Sequence, residues 1–245
     1  MKHLFTFYYS HIASLKVGNV AEIVDSDVVH RLIHIVRIAQ DDTIILFDRT
    51  IHAVVQIKAI SKRAIHILVV SSEPTINKQI PLIFLLPVLK KEALSDAVYA
   101  LCELGVSLIQ LITTQKTRPW GGKKELERLQ RVIYAAAEQS KNFSFPMIDE
   151  PISLDVAVAA RSNKEFLIVA DPDGHAMVDV MKDLQDSNPA AIVVTVGPEG
   201  AFTEQELALL QVTQFHTMKL TETILRASQA AALLSGIIRT IVRNE

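Results

Sequence analysis

A β-branched run containing Ile192, Val193, Val194 and Val196 opens directly into Gly197-Pro198-Glu199-Gly200-Ala201-Phe202, and a second run, 215–220, opens into Thr221-Glu222-Thr223-Ile224-Leu225-Arg226. Gly197 and Gly200 admit backbone conformations closed to other residues, so a ligand can lie against bare main chain there. In open α/β sheets ligands sit outside the carboxyl ends of strands. If the two runs are adjacent strands of such a sheet, their turns together line one small-molecule pocket. The competing reading is a pair of ordinary strand-to-helix turns.

A larger frame must hold these turns. Thr203 with Glu206 forms a capping box ahead of Leu207, Leu209 and Leu210. Residues 227–243 read as a long helix with an apolar face of Ala231, Leu234, Ile237, Ile238 and Ile241. Upstream, strands over 82–86, 107–112 and 165–170 alternate with helices over 90–104, 123–140 and 177–183. That alternation implies a parallel sheet covered by helices. Before about Ser72 the pattern changes to short strands over 21–24, 43–47, 53–60 and 64–70, which suggest a small β-barrel. A helix over 28–38 opened by Asp27 lies among them, and 71–78 has linker composition. The expected organisation is a β domain over 1–72 and an α/β domain over 73–245.

Composition narrows the function classes. In 245 residues, 49% are hydrophobic and the net charge is -2, so the chain has ample core and no overall basic footprint. Any RNA contact must use local patches. The single cysteine, Cys102, excludes an intramolecular disulfide, fits a reducing cytoplasm and reads as a core residue of an apolar helix. Residues 1–9 lack a signal-peptide pattern, and the most apolar stretch, 80–89, carries two prolines and is too short to span a bilayer. Asp171-Pro172-Asp173-Gly174 lacks the later acidic ligands of a calcium loop and reads as a turn. His30 and His34 stand at helical spacing without a third ligand, so no metal is expected. No GxGxxG, P-loop or GxSxG is present, which removes the usual nicotinamide, nucleotide-hydrolase and serine-hydrolase readings.

Taken together, the motifs resemble those of the RsmE family of 16S ribosomal RNA uracil-N3 methyltransferases, within the SPOUT (α/β-knot) superfamily. Residues 197–202 are similar to that family's GPEGGF, 220–230 to LGxxILRxETA, and 90–106 to KGxxxxxxxxKxxELGV. Residues 136–140 fit AxEQS, and 32–37 fit LxxVLR. The resemblance implies an α/β fold: a SPOUT-type trefoil-knotted parallel sheet preceded by a small PUA-like β-barrel. It implies a cytoplasmic homodimer that binds S-adenosylmethionine through Gly197, Pro198, Glu199, Gly200, Leu220, Ile224, Leu225 and Arg226. It also implies methylation of one uridine in 16S rRNA of the small ribosomal subunit. Several positions depart from the family pattern: Ala201 replaces the second glycine of GPEGGF and Thr221 the glycine of LG, and Ser228 stands where the family has glutamate. Alanine at 201 is tolerated if that residue has a negative φ.

Methylation at N3 of uracil requires loss of the N3 proton, so stabilising the uracil anion or supplying a base promotes it. Arg226 is the candidate for charge stabilisation or phosphate anchoring, because a guanidinium suits both; a surface ion pair is the plainer role. Glu199 either accepts a proton or hydrogen-bonds the loop, the second being favoured. No residue stands out as general base. RNA contacts are expected from Arg31, Arg37, Lys116, Arg118 and Gln139, with Trp120 available for stacking. Solvated surface charge accounts for such residues as well. Two other functions fit the same residues: a SPOUT enzyme acting on another ribosomal or transfer RNA site, and a member that binds RNA without catalysis.

Overall fold

The computed structural model describes residues 4–242. It divides into two compact units, one formed by residues up to Asn77 with 137–144, the other by Lys78–Ala136 and the chain from Phe145 onward.

In the first unit, strands β1 (Thr6–Tyr8), β2 (Val20–Ile23), β3 (Thr43–Phe47), β4 (Ile51–Ile60) and β5 (Ile65–Pro74) pair in the order β1-β3-β4-β5-β2. Only β1 and β3 run parallel. Alternation drives the long hairpin: Ala53, Val55 and Ile57 of β4 and Ile65, Ile67 and Val69 of β5 are buried. They pack on Leu32, Ile44 and Leu46. Three details differ from the sequence-based expectation. The short β1 gave no periodic signal. The helix begins as α1 (Ser26–His30) and its cap is Asp25, which accepts from the N–H groups of Asp27 and Val28, so Asp27 lies inside the first turn. It then widens into π-helix over Arg31–Val36 and stops at Arg37, whose φ of 59° is left-handed. The expected linker is partly strand, because Ser71–Pro74 continue β5 and pair with residues 51–54. Polar side chains suit a linker and an exposed strand end equally.

The second unit alternates β6 (Leu82–Pro87), α2 (Lys91–Glu103), β7 (Leu108–Thr113), α3 (Lys123–Ser140, of which the residues from Ala137 on count with the first unit), β8 (Met147–Ser153), α4 (Leu154–Ala159), β9 (Glu165–Ala176), α5 (Met177–Ser187), β10 (Ala191–Val196), α6 (Glu204–Val212), β11 (His216–Lys219) and α7 (Ala227–Ile241). Its six strands are all parallel, in the order β11-β9-β10-β6-β7-β8. The expected helix-covered parallel sheet is present. Every residue of β10 is buried, and the hydroxyl of Thr195 is satisfied by donating 2.8 Å to the Leu85 carbonyl. Cys102 is fully buried, and burial, with a smaller push from Glu103, raises its thiol pKa to about 12.

Here too the structure corrects the expectation. β10 and β11 are not adjacent, because β9 lies between them. Strands consecutive in sequence are neighbours only about two-thirds of the time. The edge pair β8 and α4 was not foreseen: β8 carries Asp149, Glu150 and Pro151, a composition tolerated only at an edge. β9 runs past 170, and its register against β11 jumps from Val169 to His175. The intervening Asp171–Gly174 segment bulges out, with the Asp171 carboxylate accepting from the Asp173 N–H at 2.9 Å. Gly174 lies so close to β11 that a Cβ there would meet the Met218 nitrogen at 2.7 Å. The end of α7 expected at Arg243 lies outside the described residues.

Candidate functional site

The buried β10 delivers Gly197 to the carboxyl edge of the sheet, and the next five residues turn into α6. Pro198 and Phe202 are buried, while Glu199, Gly200 and Ala201 are exposed. The Ala201 N–H closes the turn by donating 2.8 Å to the Pro198 carbonyl. Ala201 has a φ of +57°, so the condition under which alanine would be tolerated without strain is not met. The chain keeps a left-handed corner that suits glycine and forces alanine into it, at a cost of about 1 kcal/mol. The predicted capping box forms: the Thr203 side chain accepts from the Glu206 N–H, and a carboxylate oxygen of Glu206 accepts from the Thr203 N–H at 2.8 Å.

Neighbouring loops clasp this turn. Glu199 accepts from the Lys90 N–H at 2.9 Å, where α2 begins. Lys90 is the N-cap and its side chain makes no capping bond, so a carboxylate beside that helix end is favourably placed. Lys116 Nζ donates to the Gly200 carbonyl at 2.8 Å. Its stem also covers Gly200, where a Cβ would stand 3.0 Å from Lys116 Cδ. The bare face expected at Gly200 is therefore packed against a side chain. The second oxygen of Glu206, itself buried, accepts from the Gln115 N–H at 2.8 Å. Loops from β6, β7 and β10, three neighbouring strands, are thereby joined.

The turn after β11 is built differently. Lys219 pairs with Glu222 at 2.6 Å, and the Thr221 hydroxyl donates to the Thr223 carbonyl at 2.6 Å. These bonds reach no further than the end of β11. Leu220 and Leu225 are half-buried, and Ile224 is 87% exposed, the most of any large apolar residue described. Arg226 is exposed, occupies the N-cap of α7 and makes no side-chain hydrogen bond or ion pair among the described residues. The first turn of α7 carries no acid. No hydrogen bond among the described residues joins 197–202 to 221–226, and with β9 between, the parent strands stand about 10 Å apart.

The remaining candidates fall into separate settings. Arg118 Nε donates to the Leu89 carbonyl at 2.6 Å, and its guanidinium pairs with Glu125. Burial pushes the Glu125 carboxyl up, but hydrogen bonds from Arg118 and the Gly121 N–H, with the charges of Arg118 and Arg128, outweigh it and leave the pKa lowered. Trp120 is half-buried, and its Nε1 is buried without a partner. In the first unit, the Arg31 guanidinium grips both carboxylate oxygens of Glu138, at 3.1 and 2.7 Å, and lies 5.4 Å from the centre of the Phe7 ring. Glu138 also accepts from the Tyr8 N–H at 2.9 Å. Arg37 and Gln139 are exposed. His30 and His34 have ring centres 4.9 Å apart, and no metal-holding group of three His, Cys, Asp or Glu side chains occurs among the described residues. No helix among them is long and apolar enough to cross a membrane. The sequence reading missed Lys90, Glu138 and the second bond of Glu206 as organising groups. Only the capping-box spacing pointed to one of them.

Residues 76–239 match the family model described as an RNA methyltransferase domain. The chain belongs to that family. Among curated proteins, this RNA methyltransferase-domain chain is 30% identical over 151 residues to ribosomal RNA small subunit methyltransferase E of Synechocystis sp., covering 58% of this chain and 47% of that protein. It is 27% identical over 158 residues to the protein of the same name from Rickettsia conorii, covering 63% and 62%. The matches thus span from about half to three-fifths of these relatives' length. The resemblance drawn from the motifs meets relatives of the same name. Among solved structures, the chain shares its fold with ribosomal RNA small subunit methyltransferase E from Neisseria gonorrhoeae bound to S-adenosyl methionine, with a TM-score of 0.86, 22% identity and 98% of each chain covered. A putative methyltransferase from Legionella pneumophila, in complex with the same cofactor, gives 0.84 at 18% identity over 97% of this chain and 98% of that one.

Proposed function

We propose that this chain transfers the methyl group of S-adenosylmethionine to N3 of a uridine in 16S rRNA of the small ribosomal subunit. The observation that carries the reading is the turn after β10, which Lys90 and Lys116 clasp at the carboxyl edge of a parallel sheet in an RNA methyltransferase domain. The methyl donor also fits the turn after β11. Ile224, beside Leu220 and Leu225, leaves an apolar surface without a protein partner, suited to a heterocyclic ring. The residues that would hold the donor are Gly197, Pro198, Glu199, Gly200, Leu220, Ile224, Leu225 and Arg226. When bound, it supplies an electrophilic methyl carbon on a sulfonium. Exposed and unpaired, Arg226 is placed to stabilise an anion, the uracil ring losing its N3 proton or a phosphate beside it. Glu199 holds the loop through Lys90 rather than carrying a proton.

In this reading the first unit is a PUA-like RNA-binding barrel and the second a SPOUT domain with α7 threaded through a trefoil knot, and the enzyme acts as a cytoplasmic homodimer. Arg37, Lys116, Trp120 and Gln139 meet RNA. Arg31 and Arg118, already committed to Glu138 and Glu125, contribute through the surfaces they brace. The left-handed Ala201 and the acid-free start of α7 favour a second reading, a member that binds RNA without catalysis. Calorimetry separates the two: heat of S-adenosylmethionine binding by the folded protein supports the enzyme, and its absence supports the alternative. N3 methylation removes a Watson–Crick donor, so reverse transcriptase should stall at the modified uridine in wild-type rRNA and read through in a deletion strain. Equal stops in both strains would overturn the proposed target.

A further inference from the structure

Gly200 owes its missing side chain to a neighbour rather than to its own backbone. Its φ lies outside the left-handed region, so conformation alone does not call for glycine there. A Cβ at Gly200 would instead meet the Lys116 stem, 3.1 Å from its Cβ, 3.0 Å from its Cδ and 3.6 Å from its Cγ. One lysine thus lies across the Gly200 Cα, and its ammonium ends on the Gly200 carbonyl, 2.8 Å away.

The main chain on either side of Lys116 is fixed. The Gln115 N–H donates to Glu206 at 2.8 Å, Thr117 Oγ1 accepts from the Thr114 N–H at 3.1 Å, and Arg118 is held by the Leu89 carbonyl and Glu125. The Lys116 side chain, by contrast, is exposed, is tied by that one hydrogen bond and has no ion pair among the described residues. An ammonium carries three N–H donors, so two are left for another acceptor. In this loop the movable part is a single charged side chain, and it rests on the turn proposed to hold the methyl donor.

Two features of that contact oppose donor binding. The stem covers main chain that the donor site would offer, and a positive charge sits where a sulfonium must approach. A phosphate answers both, because it draws the ammonium away from the Gly200 carbonyl and neutralises it. Phosphate is the part of RNA that lysines chiefly meet.

We infer that Lys116 couples the two substrates. Without RNA it covers Gly200 and holds donor affinity down; when an RNA phosphate takes its ammonium, the Gly200 face opens and donor affinity rises. By linkage the donor then strengthens RNA binding by the same factor. The identity of the donor rests on the proposed methyltransferase function; the release of Gly200 by RNA does not.

The test uses the full chain, a single-stranded ribo-oligonucleotide and S-adenosylmethionine. By calorimetry the wild type should bind the donor about fivefold tighter with the oligonucleotide than without it. Lys116→Ala should bind the donor alone about fivefold tighter than wild type, and the oligonucleotide should then add less than about a factor of two. A wild-type donor affinity that RNA leaves unchanged overturns the inference, as does Lys116→Ala with wild-type donor affinity or with the coupling intact. Amide NMR reads the other half without donor: the oligonucleotide should shift the Gly200 and Ala201 signals of the wild type and leave those of Lys116→Ala in place. Wild-type signals that stay unmoved at every oligonucleotide concentration overturn the inference. If they respond as expected while neither protein binds S-adenosylmethionine, the methyltransferase reading fails and the release of Gly200 by RNA stands.

Discussion

The two turns at the carboxyl edge of the sheet differ in what holds them. Residues 197–202 are bonded from outside, to Lys90 at the start of α2 and Lys116 beyond β7, while the adjoining Glu206 reaches Gln115. Residues 221–226 are braced only locally, by Lys219 at the end of β11 and by the Thr221 hydroxyl, and expose Ile224 and Arg226. Cross-element bonds organise the first turn before any ligand arrives, whereas the groups of the second remain available to one. Substitutions in the first should therefore cost stability, and those in the second should cost activity.

The largest expected effect breaks the second turn. Arg226→Ala should lower methyl transfer about a hundredfold or more, while the melting temperature moves no more than about 2 °C, as for a surface substitution. Full activity would remove Arg226 from the chemistry, and a large loss of stability would end the contrast between the turns. Glu206→Ala strikes the first region. Losing the capping box and the bond to Gln115 should cost about 3 kcal/mol and lower the melting temperature by about 6–12 °C in thermal denaturation.

Acid should loosen the braced region in a recognisable way. The net-lowered pKa of Glu125 means its contribution is fully present above the ordinary value of 4.5 and is lost as pH falls through the lower folded value. Urea unfolding of Glu125→Gln should accordingly show a shallower loss of stability on acidification than wild type. An identical slope would exclude that pair as a source of acid sensitivity. The smallest effect sharpens the description of the first turn: Ala201→Gly should relieve the left-handed strain and stabilise by about 1 kcal/mol, or about 2–4 °C. A destabilised variant would mean that strain at φ +57° is not what limits the turn.

Much of the second unit was legible because its signals are local. The strand-helix alternation carried the parallel sheet, and Thr203-x-x-Glu206 marked the start of α6. Bounds slipped where composition and pairing disagree, as at Ser71–Pro74 and in the acidic β8, because edge strands need little apolar surface. The candidate site was legible in its parts but not in their arrangement. Arg31 and Arg118 look like free cations in sequence, yet Glu138 lies 107 positions from Arg31, and the Leu89 carbonyl lies 29 from Arg118.

The chain by itself determined where strands empty into turns, where α6 is capped, and which motifs place it among RNA methyltransferase domains, since each depends on residues close together in sequence. Only the tertiary structure decided that β9 separates β10 from β11, that Ala201 is left-handed, and that Lys116 covers Gly200. Those outcomes are set by strand order and by groups meeting across the sheet, and hydrophobic periodicity carries no information about which strands become neighbours.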